Sequence, residues 1–157
     1  MNDVLPKPQI QTASLFDLNA VRQLEKLCFP LDAWPLLDLI GALTLPHIVR
    51  YKALWDDQMV GFIAGEVRFP ARIGWIATVA VHPDHRRKGI ARRMIQMVED
   101  EMGQPRVRLT VRESNRAAIN LYQQDGYIQV NRWVKYYKGG EDGIVMEKVR
   151  YPEFGNF

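Results

Sequence analysis

The sequence predicts a mixed α/β (α+β) domain, and three observations predict it. Runs with apolar residues at every second position interleave with runs at a 3.6-residue period, so strands and helices alternate along the chain. No internal repeat, low-complexity tract or linker divides the 157 residues, so a single domain over 1–157 is expected. With 47% hydrophobic residues, a chain of this length buries a core without disulfide or metal staples.

Taken in order, a short strand is expected over 9–13, after which Ser14 offers an N-cap to a helix whose apolar positions are Leu18, Val21, Leu24 and Leu27. Phe29-Pro30 closes that helix, and a second, short one is expected over 35–43. Strands over 48–54 and 59–66 flank Asp56-Asp57 and read as a hairpin. The apolar run 74–81 has the length of a buried strand and stops at His82-Pro83-Asp84, because proline cannot donate to a ladder. Over 89–102, Ile90, Met94, Met97, Val98 and Met102 keep a helical period, which Gly103 ends. A strand over 107–111 follows, then a helix capped by Ser114 and running to 124, a turn at Gly126, and strands over 127–134 and 144–149.

Composition excludes several classes. No stretch approaches the ~20 apolar residues of a membrane helix, and Met1-Asn2-Asp3 does not open a signal peptide, so a cytoplasmic protein away from membranes is expected. Cys28 is the only cysteine, and His47, His82 and His85 form no zinc-type spacing, so neither a disulfide nor a metal is expected. The net charge is only +3, yet Arg86, Arg87, Lys88, Arg92 and Arg93 fall within eight positions, and that clustering asks for an anionic partner.

Val79, Ala80 and Val81 end the buried strand, and Arg86-Arg87-Lys88-Gly89-Ile90-Ala91 opens the following amphipathic helix. Such a turn is an anion cradle. First-turn amides of a helix have no internal partner and sit at the positive end of its dipole, where they donate to a phosphate. Gly89 and the small Ala91 keep side chains out of its way. On local pattern alone the alternative stays open, that Gly89 merely permits a tight turn and the arginines form a solvated face. Two other phosphate loops, Gly-x-x-x-x-Gly-Lys-Ser/Thr and Gly-x-Gly-x-x-Gly, are absent from the sequence.

Arg86-Arg87-Lys88-Gly89-Ile90-Ala91 resembles the Arg/Gln-x-x-Gly-x-Gly/Ala signature of the Gcn5-related N-acetyltransferases, the GNAT superfamily. The Val81-His82-Pro83 approach to Arg86 is similar to theirs, and Asn115, Ala118, Leu121-Tyr122 and Gly126-Tyr127 resemble their Asn-x-x-Ala-x-x-Leu-Tyr-x-x-x-Gly-Phe/Tyr segment. The resemblance implies the single-domain GNAT fold, a mixed, mostly antiparallel twisted sheet of about six or seven strands with helices on both faces. It implies acetyl-CoA as cosubstrate, with the pantetheine arm along Val79, Ala80 and Val81. The pyrophosphate would lie on amides of Arg86, Arg87, Lys88, Gly89, Ile90, Ala91 and Arg92, and Asn115 and Tyr122 would contact the coenzyme. By the same resemblance Tyr122 is the general acid for the leaving thiolate. A phenol near pKa ~10 stays protonated at neutral pH and can donate to a developing sulfur anion. Read without the family, Tyr122 is an aromatic core residue whose hydroxyl finds a partner.

Three segments, 25–30 with Ala33-Trp34-Pro35, 111–115, and Tyr136-Tyr137 with 140–146, resemble the RimI-like and Ard1-like protein N-terminal acetyltransferases. In those enzymes two loops flank the peptide entrance, so Phe29, Trp34, Tyr136 and Tyr137 become candidate substrate contacts, with ordinary loop packing as the alternative. One position departs. Where the bacterial RimI pattern has a glutamate proposed as general base, this chain has Thr110, whose hydroxyl is no useful base at pH 7. Glu66, near the end of an expected central strand, is the candidate replacement through water; its alternative is a solvated strand-end charge.

The expected partner is therefore an amine acceptor, and a protein N-terminus suits a weak base best. An α-amine near pKa ~7.8 is roughly a tenth to a fifth neutral at pH 7, against about 0.04% for a lysine near ~10.4. A small amine or amino-acid-like metabolite is the alternative acceptor, and a catalytically silent CoA-binding module is a further reading. No nucleic acid is expected, because residues 82–93 carry no aromatic for a base to stack on. Cys28 reads as an inert thiol, His82 and His85 as loop-positioning residues, and the assembly as a monomer or weak homodimer.

Overall fold

The computed structural model describes residues 8–151. Seven strands form one sheet: β1 (Gln9–Thr12), β2 (Ile48–Trp55), β3 (Gln58–Arg68), β4 (Ile73–Val81), β5 (Arg106–Arg112), β6 (Ile128–Trp133) and β7 (Gly143–Val149), in the order β1-β2-β3-β4-β5-β7-β6. Only β4 and β5 run parallel; every other neighbouring pair is antiparallel. Four α-helices join them: α1 (Leu18–Cys28), α2 (Leu36–Thr44), α3 (Ile90–Met102) and α4 (Arg116–Gln124). The expected mixed, mostly antiparallel sheet with helices on both faces is the architecture found.

Side-chain alternation along the strands feeds two cores. Phe62, Ala64 and Ala80 point to one face, where α1 and α2 cover them with Val21, Leu24, Leu39 and Leu43. Ile63, Ile76, Val107, Leu109 and Met146 point to the other, beneath Met94, Ile95 and Val98 of α3 and Ile119 and Tyr122 of α4. Each fully buried aliphatic side chain there contributes roughly 1.5–3 kcal/mol. Gly65 is required chiefly by the close approach of the β4 backbone: a Cβ would stand 2.8 Å from the Trp75 carbonyl, and 3.2 Å from Val98 Cγ1 on α3.

Local chemistry sets the ends of elements. Asp56 and Asp57 both have positive φ, 49° and 63°, as the β2–β3 hairpin turn demands. Ser14 leads into one 3-10 turn, Leu15–Asp17, before α1, and its N–H donates to the Asp17 carboxylate at 2.8 Å. The expected cap of α4 moves by one residue. Ser114 donates its N–H to Glu141 Oε1 at 2.7 Å, which draws it away from the helix, and Asn115 caps instead by accepting from the Ala118 N–H at 3.2 Å.

Candidate active site

Two irregularities of β4 open the sheet at its centre. Thr78 pairs with Ala64 and Ile76 with Gly65, so Ala77 is an extra residue, a β-bulge that leaves its backbone groups out of the regular ladder. On the other edge, β4 pairs with β5 only through Gly74–Val107, Trp75–Arg108 and Ile76–Leu109. Beyond Ile76 the two parallel strands diverge, and Val79, Ala80 and Val81 line one side of the gap while Thr110, Val111 and Arg112 line the other. The helices that follow the strands, α3 and α4, both begin at this end of the gap.

At the mouth of the gap, Gly89 takes φ +77° as N-cap of α3, and a Cβ there would meet nothing within 4 Å. Arg87 also has positive φ, 62°. The turn thus presents bare amides at the positive end of a 13-residue helix. Its side chains divide. Arg86 Nε donates to the Val81 carbonyl at 3.2 Å, Lys88 Nζ lies 4.4 Å above the Trp55 ring, and Arg92 reaches Gln124 at 3.4 Å on α4. Ile90 is buried in the core, so its amide, not its side chain, faces the turn. Arg87 is exposed, and Ala91 is half-buried.

The candidate acid and base sit on opposite faces. Tyr122 packs into the core under α3, with its ring 6.0 Å from Tyr127, and burial pushes its hydroxyl up to about 12. Glu66 lines a cleft of about 450 Å³ on the α1–α2 face, together with Trp34, Asp38, His47 and the bulged Ala77. Its carboxylate is shared by His47 Nε2 at 3.3 Å and Arg68 Nε at 3.6 Å. Asn115 spends its side-chain oxygen on the α4 cap. Phe29 packs against the α1–α2 core, as does Trp34, which also lines the cleft.

Tyr136 and Tyr137 lie in the β6–β7 loop, edge to face at 5.0 Å. Burial, then the neighbouring Tyr136 and Asp32, raise the Tyr137 hydroxyl well above its ordinary value. Arg112, at the end of β5, holds this loop to the α1–α2 loop. It donates to both oxygens of Asp32, to Glu141 at 2.9 Å and to the Lys138 carbonyl at 3.1 Å, and it lies 4.7 Å over the Tyr137 ring. Hydrogen bonds from Ser114, and then from Arg112, keep Glu141 below the usual carboxylate range.

The family model for the acetyltransferase (GNAT) family matches residues 18–127, which includes the gap, the turn and α4. The chain belongs to this family. It is 33% identical over 126 residues to the N-terminal acetyltransferase B complex catalytic subunit NAA20 of Arabidopsis thaliana, covering 70% of this chain and 72% of that protein. It is 30% identical over 146 residues to the N-terminal acetyltransferase A complex catalytic subunit NAA10 of the same plant, covering 88% and 76%. The ribosomal-protein-S18-alanine N-acetyltransferase of Escherichia coli has the same fold, with a TM-score of 0.84 at 24% identity over 96% of this chain and 99% of that one.

As a member of the GNAT family, this chain is an acetyl-CoA-dependent N-acetyltransferase. The residues present fit that cosubstrate. A gap between two strands admits an extended arm, and the open space above Gly89 with the α3 amides behind it suits a pyrophosphate. Among the described residues no cluster of His, Cys, Asp or Glu could hold a metal ion, and no helix is long and apolar enough to cross a membrane. Sequence reasoning assigned no role to Arg112, Asp32, His47, Trp75 or Trp133. The hydrogen-bonded pair Asp32 and Arg112 lies 80 residues apart in the chain, so no local pattern announced it.

Proposed function

We propose that this acetyltransferase acts, as one cytoplasmic domain, on the α-amine of a protein or peptide N-terminus. The observation that carries the reading is the weakness of the base. Thr110 stands on β5 at the gap, and the Glu66 carboxylate is already shared between His47 and Arg68. Such a site suits an amine that is partly neutral before it arrives, which an α-amine is and a lysine is not. The relatives that carry N-terminal acetyltransferase names support the same acceptor.

In this mechanism acetyl-CoA supplies the thioester. Backbone N–H groups of β4 near Val79, beside the Ala77 bulge, polarise its carbonyl oxygen as charge develops there. The neutral amine attacks that carbon, and the C–S bond breaks. The Tyr122 hydroxyl gives its proton to the departing sulfur and recovers one from solvent. Water held at Glu66 takes the proton that the new amide nitrogen sheds. Val79, Ala80 and Val81 hold the pantetheine arm, while the amides of residues 86–92 hold the pyrophosphate. Phe29, Trp34, Tyr136 and Tyr137 flank the acceptor.

The test is free-thiol release from acetyl-CoA with short peptides that differ at residue one, beside the same peptides blocked at the α-amine, and with polyamines. Turnover confined to free α-amines is expected. Turnover of small amines alone moves the enzyme to a metabolite acceptor, and coenzyme binding with no turnover makes it a silent module.

A further inference from the structure

We infer that the stacked indoles of Trp75 and Trp133 are positioning residues for the acceptor: they prop the β6–β7 loop, through Tyr136 and Tyr137, at the height where it lines the acceptor side of the gap. The inference rests on the reading of those loops as the acceptor entrance.

The two tryptophans come from strands that are not neighbours. β5 and β7 lie between β4 and β6, so their backbones are separated by three strand spacings, about 14 Å in a flat sheet. Yet the rings stand 5.8 Å apart with planes only 19° from parallel. The indoles therefore lean toward each other and bridge β5 and β7 from either side. Alternation places both on the face opposite α3: Gly74 and Ile76 on β4 point at the α3 core, and so do Ile144 and Met146 on β7, leaving Trp75, Gly143 and Val145 on the other side, where Trp133 is the cross-strand partner of Gly143.

The indoles share this face of the sheet with Val145. Val145 belongs to neither helix-covered core, and still it is only 1% exposed. Close by, Gly143 is tightly enclosed: a Cβ would lie 3.0 Å from Thr110 Cγ2 and 3.1 Å from Tyr136 Cδ1. Thr110, Gly143 and Tyr136 are thus packed together at the edge of the β4–β5 gap.

The contacts continue in both directions. Arg68 lies 4.5 Å over the Trp75 ring and also reaches Glu66, the cross-strand partner of Trp75. Trp133 meets Tyr136 at 4.9 Å, Tyr136 meets Tyr137, and Arg112 lies over Tyr137 while gripping Asp32. An unbroken line of rings and guanidinium planes therefore runs from the candidate base to the α1–α2 loop. Aromatic pairs make good props because they have few rotatable bonds and gain about 0.5–1.5 kcal/mol each beyond the area they bury. The loop's other ties run to itself, through Arg132 and the Lys135 N–H to Asp142 and through the Tyr137 N–H to the Glu141 carbonyl, and to the segment after β5, through Arg112 and Ser114 to Glu141 and Arg132 to Glu113; none of them reaches the tryptophans.

The test compares the wild type with Trp133→Ala, Trp75→Ala and Trp133→Phe in two assays. In steady-state kinetics with a peptide acceptor, each alanine variant should raise the acceptor KM about tenfold while kcat and the acetyl-CoA KM stay within about twofold, and Trp133→Phe should restore most of it. The double alanine variant should be little worse than either single one, because both break one stack. In native-state trypsin digestion, cleavage after the exposed Lys135 and Lys138 of the loop should run about fivefold faster in Trp133→Ala and return towards wild type in Trp133→Phe. An unchanged acceptor KM, or phenylalanine as impaired as alanine, overturns the inference. If the wild type turns over only small amines, the N-terminal reading has failed; the KM for that amine and the loop cleavage then decide the positioning role by the same criteria.

Discussion

Arg112 presents two arms of its guanidinium to the two carboxylate oxygens of Asp32, Nε at 2.6 Å and Nη2 at 2.8 Å. That fork is a shape only arginine offers, and here it bolts the α1–α2 loop to the β6–β7 loop at the edge of the β4–β5 gap. Arg112→Lys keeps the charge and loses the fork, so we expect the acceptor KM to rise about tenfold and to rise more than the acetyl-CoA KM. Asp32→Asn should do the same, and the double variant should not add to it. Additive losses would show that the two residues act separately.

Tyr122→Phe keeps the buried ring and removes only the hydroxyl. We expect kcat to fall by about 10²–10³ where chemistry limits the rate, with little change in Tm. Burial raises the Tyr122 pKa to about 12, so its hydroxyl stays protonated throughout the useful pH range. For the wild type, kcat/KM with a peptide should rise as the α-amine deprotonates near pH ~8 and then hold level through pH ~10. A descending limb centred near pH ~10, the ordinary phenol value, would contradict a buried phenol as the acid.

Gly89→Ala puts a Cβ into open space, so the cost comes from the backbone at φ +77° and not from a clash. The strain should be about 1 kcal/mol, a loss of roughly 2–4 °C in Tm for a chain of this size. If the α3 amides hold the pyrophosphate, the acetyl-CoA KM should rise by more than about tenfold while the acceptor KM moves little. Calorimetry and the two KM values separate strain from binding.

Glu25 is a carboxyl buried in α1, where Thr78 donates to Oε1 at 2.7 Å and Oε2 has no hydrogen-bond partner among the described residues. Burial raises its pKa, partly opposed by the Thr78 hydrogen bond. The raised value means that the folded protein holds this proton longer than the unfolded chain does. The stabilisation is complete below the unfolded pKa and is lost as pH rises through the folded one. Glu25→Gln keeps an acceptor for Thr78 and cannot ionise, so it should raise Tm by about 3 °C at pH ~8 and give no gain near pH ~4. A gain that is equal at both pH values would refute the ionisation argument.

The anion turn was legible because all its parts are contiguous: a strand end, a proline, a left-handed glycine and an amphipathic helix with five basic residues between 86 and 93. The strand and helix periods placed every element of the sheet within a few residues. The helix cap at Asn115 was missed because Glu141, far along the chain, withdraws the Ser114 amide. Glu66 was legible as a strand-end carboxylate, but not its two cationic neighbours, His47 from β2's leading turn and Arg68 from the end of its own strand.

By itself, then, the sequence determined the family, the cosubstrate and the order of the elements along the chain, since periods, caps and contiguous motifs act within a turn or two of the backbone. Only the tertiary structure decided what borders the β4–β5 gap. The bulge at Ala77, the divergence of β4 from β5, the Asp32–Arg112 fork and the Trp75–Trp133 stack each join residues from elements that meet only when the sheet closes and curls. Side-chain contacts of that kind depend on register and sheet curvature, which no stretch of neighbouring residues encodes.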